Sequence, residues 1–175
     1  MRLSGHQPVY LPGIILFTKI ALSDEFMFVG HCEMGDGTWH NRNFIRNARL
    51  TIPIKHGSES INATEIDGTH WKRKHLRSIE LQYSKRPFFH LYFDRLKELI
   101  EMPCSHLGPL NMALTELFCM WLRLPTDILD SRDYKIEGHK TEMLISMCEQ
   151  TGASEYLSNE GARDYVNEAK MARSG

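Results

Sequence analysis

The sequence predicts a single α/β domain spanning residues 1–175, a mostly parallel β-sheet flanked by helices in the Rossmann-like manner. Three observations carry that expectation. The first 30 residues read strand, helix, strand, and such a βαβ opening favours a parallel sheet. Beyond it, apolar residues at helical spacing alternate with short strand-like runs. Finally, 175 residues with 42% hydrophobic content suffice for one domain with its own core.

Met1 to Gly5 forms the first strand and runs into His6-Gln7-Pro8-Val9-Tyr10-Leu11-Pro12. Pro8 and Pro12 lack a backbone donor and push the residue before them toward extended geometry. The turn is therefore stiff and carries His6, Gln7 and Tyr10 in set directions. Ile14 to Leu22 reads as helix, closed by Ser23-Asp24. Glu25 to Val29 is an apolar run of strand length that ends at Gly30. His31 to Thr38 is turn-rich, with Gly35 and Gly37 bracketing Asp36, and Trp39 to Arg46 is dense in hydrogen-bond donors. Arg49 to Lys55 reads as a strand, with Pro53 pointing to an edge position or an irregular end.

After a polar loop from His56 to Ser60, Thr64 to Asp67 is a short extended piece. A helix starts near Thr69 and runs to about Tyr83. Pro87 opens another helix reaching Ile100, and its core face is expected at Phe88, Leu91, Tyr92, Leu96 and Leu99. Pro103 ends it, and Leu107 to Leu122 is the longest apolar helix. Thr126 to Ser131 reads as strand. Lys140 to Gln150 is an amphipathic helix with Met143, Leu144 and Met147 inward, capped by Gly152. Glu155 to Ser158 is a last short strand, and Glu160 opens a final helix.

Composition excludes several classes. A net charge of −1 gives no overall field for nucleic acid or anionic membrane. Cys32, Cys104, Cys119 and Cys148 are widely spaced, which suits reduced thiols better than a disulfide framework. No apolar run approaches the roughly 20 residues of a membrane helix, and no signal peptide is evident. A soluble cytoplasmic domain is the expectation. Nine histidines and four cysteines fall at no metal-ligand spacing. Hydrolase and nucleotide-binding fingerprints are likewise absent.

Four stretches carry chemistry. His6 and Gln7 stand where open α/β sheets bind ligands, at the carboxyl end of the first strand, and the competing reading is a conformational lock. Arg42 offers a planar fork for phosphate or carboxylate, with Asn41 and Asn43 beside it. Against that stands a solvated turn whose asparagines satisfy backbone groups. Trp71 to His75 is a basic run with Trp71 and His75 on one helix face, and a solvated basic face is its commoner explanation. Ser158-x-x-Gly161 after a strand offers backbone donors to an anion, or is an ordinary helix cap.

Together these stretches resemble the WbqC-like protein family. The resemblance rests on His6-Gln7-Pro8-Val9-Tyr10-Leu11-Pro12, Phe17-x-Lys19-Ile20, Ser23-Asp24 and Phe28-Val29. It continues through Trp39-x-Asn41-Arg42-Asn43-x-Ile45, Thr51-Ile52-Pro53-Ile54-Lys55 and Trp71-x-x-Lys74-His75. Asn111, Lys140, Tyr156-Leu157-Ser158 and Gly161-x-Arg163-Asp164-Tyr165 complete it. Relatives usually have Trp where Gly13 stands and an acidic pair where Gly30-His31 stands. They also usually run on past the position of Tyr165, so a shortened copy is expected.

The resemblance implies a transferase of bacterial surface-polysaccharide (O-antigen or capsule) biosynthesis, moving an acyl or aminoacyl group to an amino sugar. Its partner would be a small molecule, a nucleotide-sugar or an acyl donor. His6 is the catalytic candidate, since it is the one residue of the turn suited to proton transfer near neutrality. The implied substrate-binding residues are Gln7, Tyr10, Lys19, Asn41, Arg42, Asn43, Lys55, Lys74, His75, Asn111, Ser158, Gly161, Arg163 and Asp164. A non-catalytic ligand-binding or divergent member is the alternative, and an RNA-binding domain using the Lys72 to Arg77 surface is the second. Cofactor and oligomeric state are left open.

Overall fold

The computed structural model describes residues 1–35, 39–46 and 48–174; the expected turn at Asp36 and Gly37 lies outside them. In chain order the elements are β1 (Arg2–His6), α1 (Ile14–Ala21), β2 (Glu25–Phe28), β3 (Arg42–Ile45), β4 (Ala48–Thr51) and α2 (His70–Tyr83). There follow α3 (Phe89–Glu101), α4 (Leu107–Leu122), β5 (Asp127–Asp130), α5 (Thr141–Thr151), β6 (Glu155–Leu157) and α6 (Glu168–Met171). The chain divides into two compact units that interleave in sequence. One comprises Met1–His6, Gly13–Val29 and Arg123–Gly175; the other comprises Gln7–Pro12 and Gly30–Leu122.

The first unit is built on a four-stranded sheet of order β5-β2-β1-β6, with every pairing parallel. Parallel sheets bury both faces, and the strands read accordingly. Leu3, Ser4 and Gly5 of β1 are buried, as are Phe26, Met27 and Phe28 of β2. The pleat separates the two faces of β1. A Cβ on Gly5 would lie 2.7 Å from Met147 Cε of α5. On the opposite face the Ser4 hydroxyl accepts from Ser23 Oγ, just past α1, at 2.8 Å. Hence α1 and α5 cover opposite faces. That is the arrangement the right-handed crossover rule requires when β1→β2 and β5→β6 move in opposite directions across a sheet.

The second unit packs α2, α3 and α4 with an antiparallel hairpin, β3–β4, whose register sets Arg42 opposite Thr51 and Phe44 opposite Arg49. Its core includes Tyr10, Leu50, Ile52, Trp71, Ile79, Ile100, Leu107 and Leu114. The hairpin differs from the sequence reading, which had only its second strand. A second difference is the inner face of α3. Phe88 and Leu91 are 66% and 58% exposed, while Leu96 and Ile100 are buried and Phe89 stacks on Phe93 at 4.5 Å. The final helix expected from Glu160 is instead a 3-10 turn, Glu160–Ala162, with α6 following later. The short extended piece at Thr64–Asp67 contributes isolated bridges, Ile54 to Ile66 and Glu65 to His106.

Among the described residues, no helix is long and apolar enough to cross a membrane. None of the four cysteines forms a disulfide among the described residues.

Candidate functional site

In the first unit, chemistry gathers where β1 ends. His6 is its last residue, half-buried, paired in register with Phe28, and its carbonyl accepts from Val29 N at 3.0 Å. Lys19 of α1 reaches the same end: its Nζ donates to the Gly5 carbonyl at 2.8 Å and lies 5.9 Å from the centre of the Tyr156 ring. Only 8% of Lys19 is exposed, and no ion pair among the described residues includes it. Burial lowers its pKa to about 8. Gly5 lets the groups close in, because a Cβ there would also stand 3.2 Å from Met27 O and 3.2 Å from Tyr156 Oη. Burial, and then the neighbouring Tyr165 and Cys148, hold the Tyr156 phenol well above its ordinary range.

Ser158, Gly161, Arg163 and Asp164 follow β6, the strand beside β1, and are exposed. The Arg163 N–H donates to Glu160 O at 3.0 Å within the 3-10 turn, so the Ser-x-x-Gly pattern opens a single turn and not a long helix.

In the second unit, polar side chains converge on the Gln7–Pro12 turn from three elements. His40 Nδ1 donates to Pro8 O at 2.8 Å, and Asn111 Nδ2 of α4 donates to His40 O at 2.8 Å and Pro8 O at 3.4 Å. Asn43 Nδ2 of β3 donates to the Tyr10 and Leu11 carbonyls. Leu11 needs that clamp: its φ of 46° is left-handed, a conformation that costs a non-glycine residue about 1–2 kcal/mol. Asn41 Nδ2 meanwhile donates to Ile52 O at 2.9 Å. Three candidate asparagines thus bond backbone groups. Gln7 hydrogen-bonds the Cys32 side chain, whose thiol burial pushes up.

Tyr10 and His75 form a wholly interior pair. Tyr10 Oη lies 2.9 Å from His75 Nδ1, and Trp71 meets the His75 ring edge-on at 5.2 Å. Burial takes His75 down to a pKa of about 4, against a backbone hydrogen bond with Thr51. Such an imidazole is neutral at physiological pH. Of the cationic candidates, Lys55 is paired with Glu65 at 2.6 Å and exposed. Arg42 is half-buried, touches Asn41 Oδ1 at 3.4 Å and has no acidic partner among the described residues. Lys74 is exposed on α2, one turn before Ser78, whose hydroxyl bonds the Lys74 carbonyl.

Two residues that sequence reasoning did not single out stand among these groups. His40 is 4% exposed and joins Pro8 to α4. Asn62 lies between two glycines, its Oδ1 2.2 Å from the place a Cβ would take on Gly30 and equally on Gly108. Its side-chain Oδ1 and Nδ2, like Asn111 Oδ1, are buried without a hydrogen-bond partner among the described residues. The signal for Asn62 is the pair Gly30 and Gly108, whose joint meaning needs the fold. Among the described residues, no cluster of three or more histidine, cysteine or carboxylate side chains has metal-binding geometry.

Comparison with known proteins places these features in context. The model of the WbqC-like protein family matches residues 7–175. A curated relative, the uncharacterized protein Rv1507c of Mycobacterium tuberculosis, is 34% identical over 170 residues, covering 93% of this chain and 74% of that protein. No solved structure matches.

Proposed function

The chain belongs to the WbqC-like protein family, and from that premise we propose that it is a transferase of bacterial surface-polysaccharide assembly. In this reading it moves an acyl or aminoacyl group onto an amino sugar. The observation that supports a chemical role most directly is the end of β1, where a buried lysine with no carboxylate partner among the described residues bonds the carbonyl of Gly5, the residue before His6, at the carboxyl edge of a parallel sheet. Ligands of open α/β sheets bind at that edge. An ammonium held out of water is retained against its desolvation cost only with compensating contacts, or for a task.

The roles follow from chemistry. His6 takes the proton that an amino-sugar nucleophile must lose as the new amide forms, and the donor's leaving group departs with the electron pair. Lys19 faces the negative charge of donor or acceptor, with Arg163 and the Ser158–Gly161 backbone in the segment that follows β6, the strand next to β1. Within the second unit, Arg42 and Lys74 offer cations for a ligand phosphate, Asn43 and Asn111 hold the Gln7–Pro12 turn, and Asn41 holds Ile52.

The test is mass spectrometry after the protein is incubated with activated acyl or aminoacyl donors and amino sugars. The expected result is an N-acylated sugar formed by the native protein and reduced at least 100-fold by His6→Gln, the scale of lost general acid–base catalysis. Donor retention without product from any pair would replace the transferase with a ligand-binding module. If Arg42→Ala leaves binding of every nucleotide-sugar tested unchanged, Arg42 loses its role.

A further inference from the structure

We infer that the end of β1 is an oxyanion site, in which the Lys19 ammonium binds a phosphate-ester or carboxylate group of the ligand. Four observations converge on it. Lys19 is 8% exposed, so its charge has little water. No acidic side chain pairs with it among the described residues. Of its three donors, one is spent on Gly5 O, and the Tyr156 ring adds only a weak electrostatic contact at 5.9 Å. Gly5, the residue beside it, is held free of a side chain by Met147, Met27 and Tyr156, which brings backbone close to the ammonium. A bound oxyanion supplies the counter-charge this lysine lacks.

Such a site is coupled to pH. With a pKa near 8 in the free protein, Lys19 is about nine-tenths protonated at pH 7 and about one-tenth at pH 9. If only the ammonium binds, anion affinity falls about tenfold over that range. Titratable groups toward this end include His6 on β1 and Tyr156 on β6, with Cys148 of α5 and Tyr165 beside the phenol, and Arg163 and Asp164 in the segment after β6. Burial raises both Tyr156 and Cys148, which keeps them uncharged near neutrality, so neither supplies Lys19 with an anion.

The inference rests on the ligand end proposed above and not on the transfer step. Sulfate and acetate titrated calorimetrically into the full chain at pH 7 and pH 9 test it, the two arms separating a tetrahedral from a planar ligand group. The native protein is expected to bind at least one of them, with about a tenfold loss at pH 9. Lys19→Arg, charged throughout, is expected to bind equally at both pH values, and Lys19→Gln to bind at neither. In His6→Gln the tenfold fall should persist. The site is overturned if Lys19→Gln binds like the native protein, if Lys19→Arg keeps the fall, if His6→Gln abolishes it, or if neither anion binds native protein at pH 7. Should Lys19→Gln fail to fold, the Lys19→Arg profile decides alone. Anion binding without any transfer product sinks the transferase reading only, whereas product formation without anion binding sinks the site only.

Discussion

His75 shows how a residue flagged by its neighbours in sequence can take its character from burial. On the page it follows a run of cations, Lys72-Arg73-Lys74, and suggests a charged surface. In the fold it is 1% exposed, bonded to Tyr10 Oη and packed on Trp71, and burial holds it neutral down to about pH 4. An unfolded histidine titrates near 6.5, so between those values the unfolded chain binds the extra proton. The pair's stability is therefore complete above about pH 6.5 and is lost as pH falls toward 4, by at most about 2.5 kcal/mol at pH 4.5. Urea unfolding at pH 7 and 4.5 measures it. His75→Phe should be less stable than native at pH 7, because Tyr10 Oη loses its partner, yet should show a clearly shallower acid loss. An unchanged acid loss in His75→Phe would remove His75 from the account. The asparagines teach the same lesson in milder form. The sequence set Asn41 and Asn43 beside Arg42, and the family resemblance added Asn111; each spends its amide on a backbone carbonyl. Which carbonyl a side chain meets depends on a strained turn and a helix far away in the chain, and local spacing carries neither.

Elements were legible where period and punctuation agreed. The β1–α1–β2 opening, the span of α4, the Gly152 cap at φ 73° and the start of α5 all follow from local pattern. Two elements were not. β3 is rich in Arg and Asn because its outer face is solvated and its inner Asn43 bonds a turn, so it lacks the apolar alternation of a half-buried strand. In α3, large apolar residues occur nearly all round, and two stripes share Leu96. The structure buries Leu96 and Ile100 with Phe89, Phe93 and the expected Leu99 packed against the same core, and leaves Phe88, Leu91 and Tyr92 of the expected stripe exposed. Only the position of a packing partner breaks that tie, and the pattern within α3 does not say how α4, a separate apolar run, folds back on it. The energetic consequence is direct. Ile100→Ala removes a fully buried side chain and should cost about 3 kcal/mol. Leu91→Ala, at a position 58% exposed, should stay within about 0.5 kcal/mol. Chemical denaturation of the two variants checks the pair, and a larger loss at Leu91 would restore the original stripe.

At the scale of the whole chain, the parallel α/β class was readable, but the division into two interleaved units was not. The first unit closes only when β5 and β6, encoded after residue 122, pair with β2 and β1 from the first thirty residues. No composition shift marks the passage from Val29 to Gly30 or from Leu122 to Arg123, because both units draw on the same apolar residues for their cores. What the assembled sheet adds is a stability that depends on pH through Lys19. Its folded pKa of about 8 lies below the unfolded value near 10.4, so at pH 7 both states are protonated and the fold bears the whole cost of burying the ammonium, at most about 3 kcal/mol. That cost is relieved as pH rises through 8 toward 10.4, where the folded lysine is neutral. Lys19→Met keeps the length and loses the charge, along with a hydrogen bond to Gly5 worth about 1 kcal/mol. The variant should therefore be more stable than native at pH 7, by about 1–3 kcal/mol, and its advantage should shrink by about 2 kcal/mol by pH 9.5. Raised thiol and phenol pKa values at Cys119, Cys148, Tyr10 and Tyr156 lower the stability of both proteins above about pH 9, so the difference between them isolates Lys19. Paired denaturation curves at pH 7, 8.5 and 9.5 read that difference. A variant less stable than native at pH 7, or a gap that widens with pH, would mean that the ammonium is stabilising where it stands, and the case for an absent counter-charge at the end of β1 would go with it.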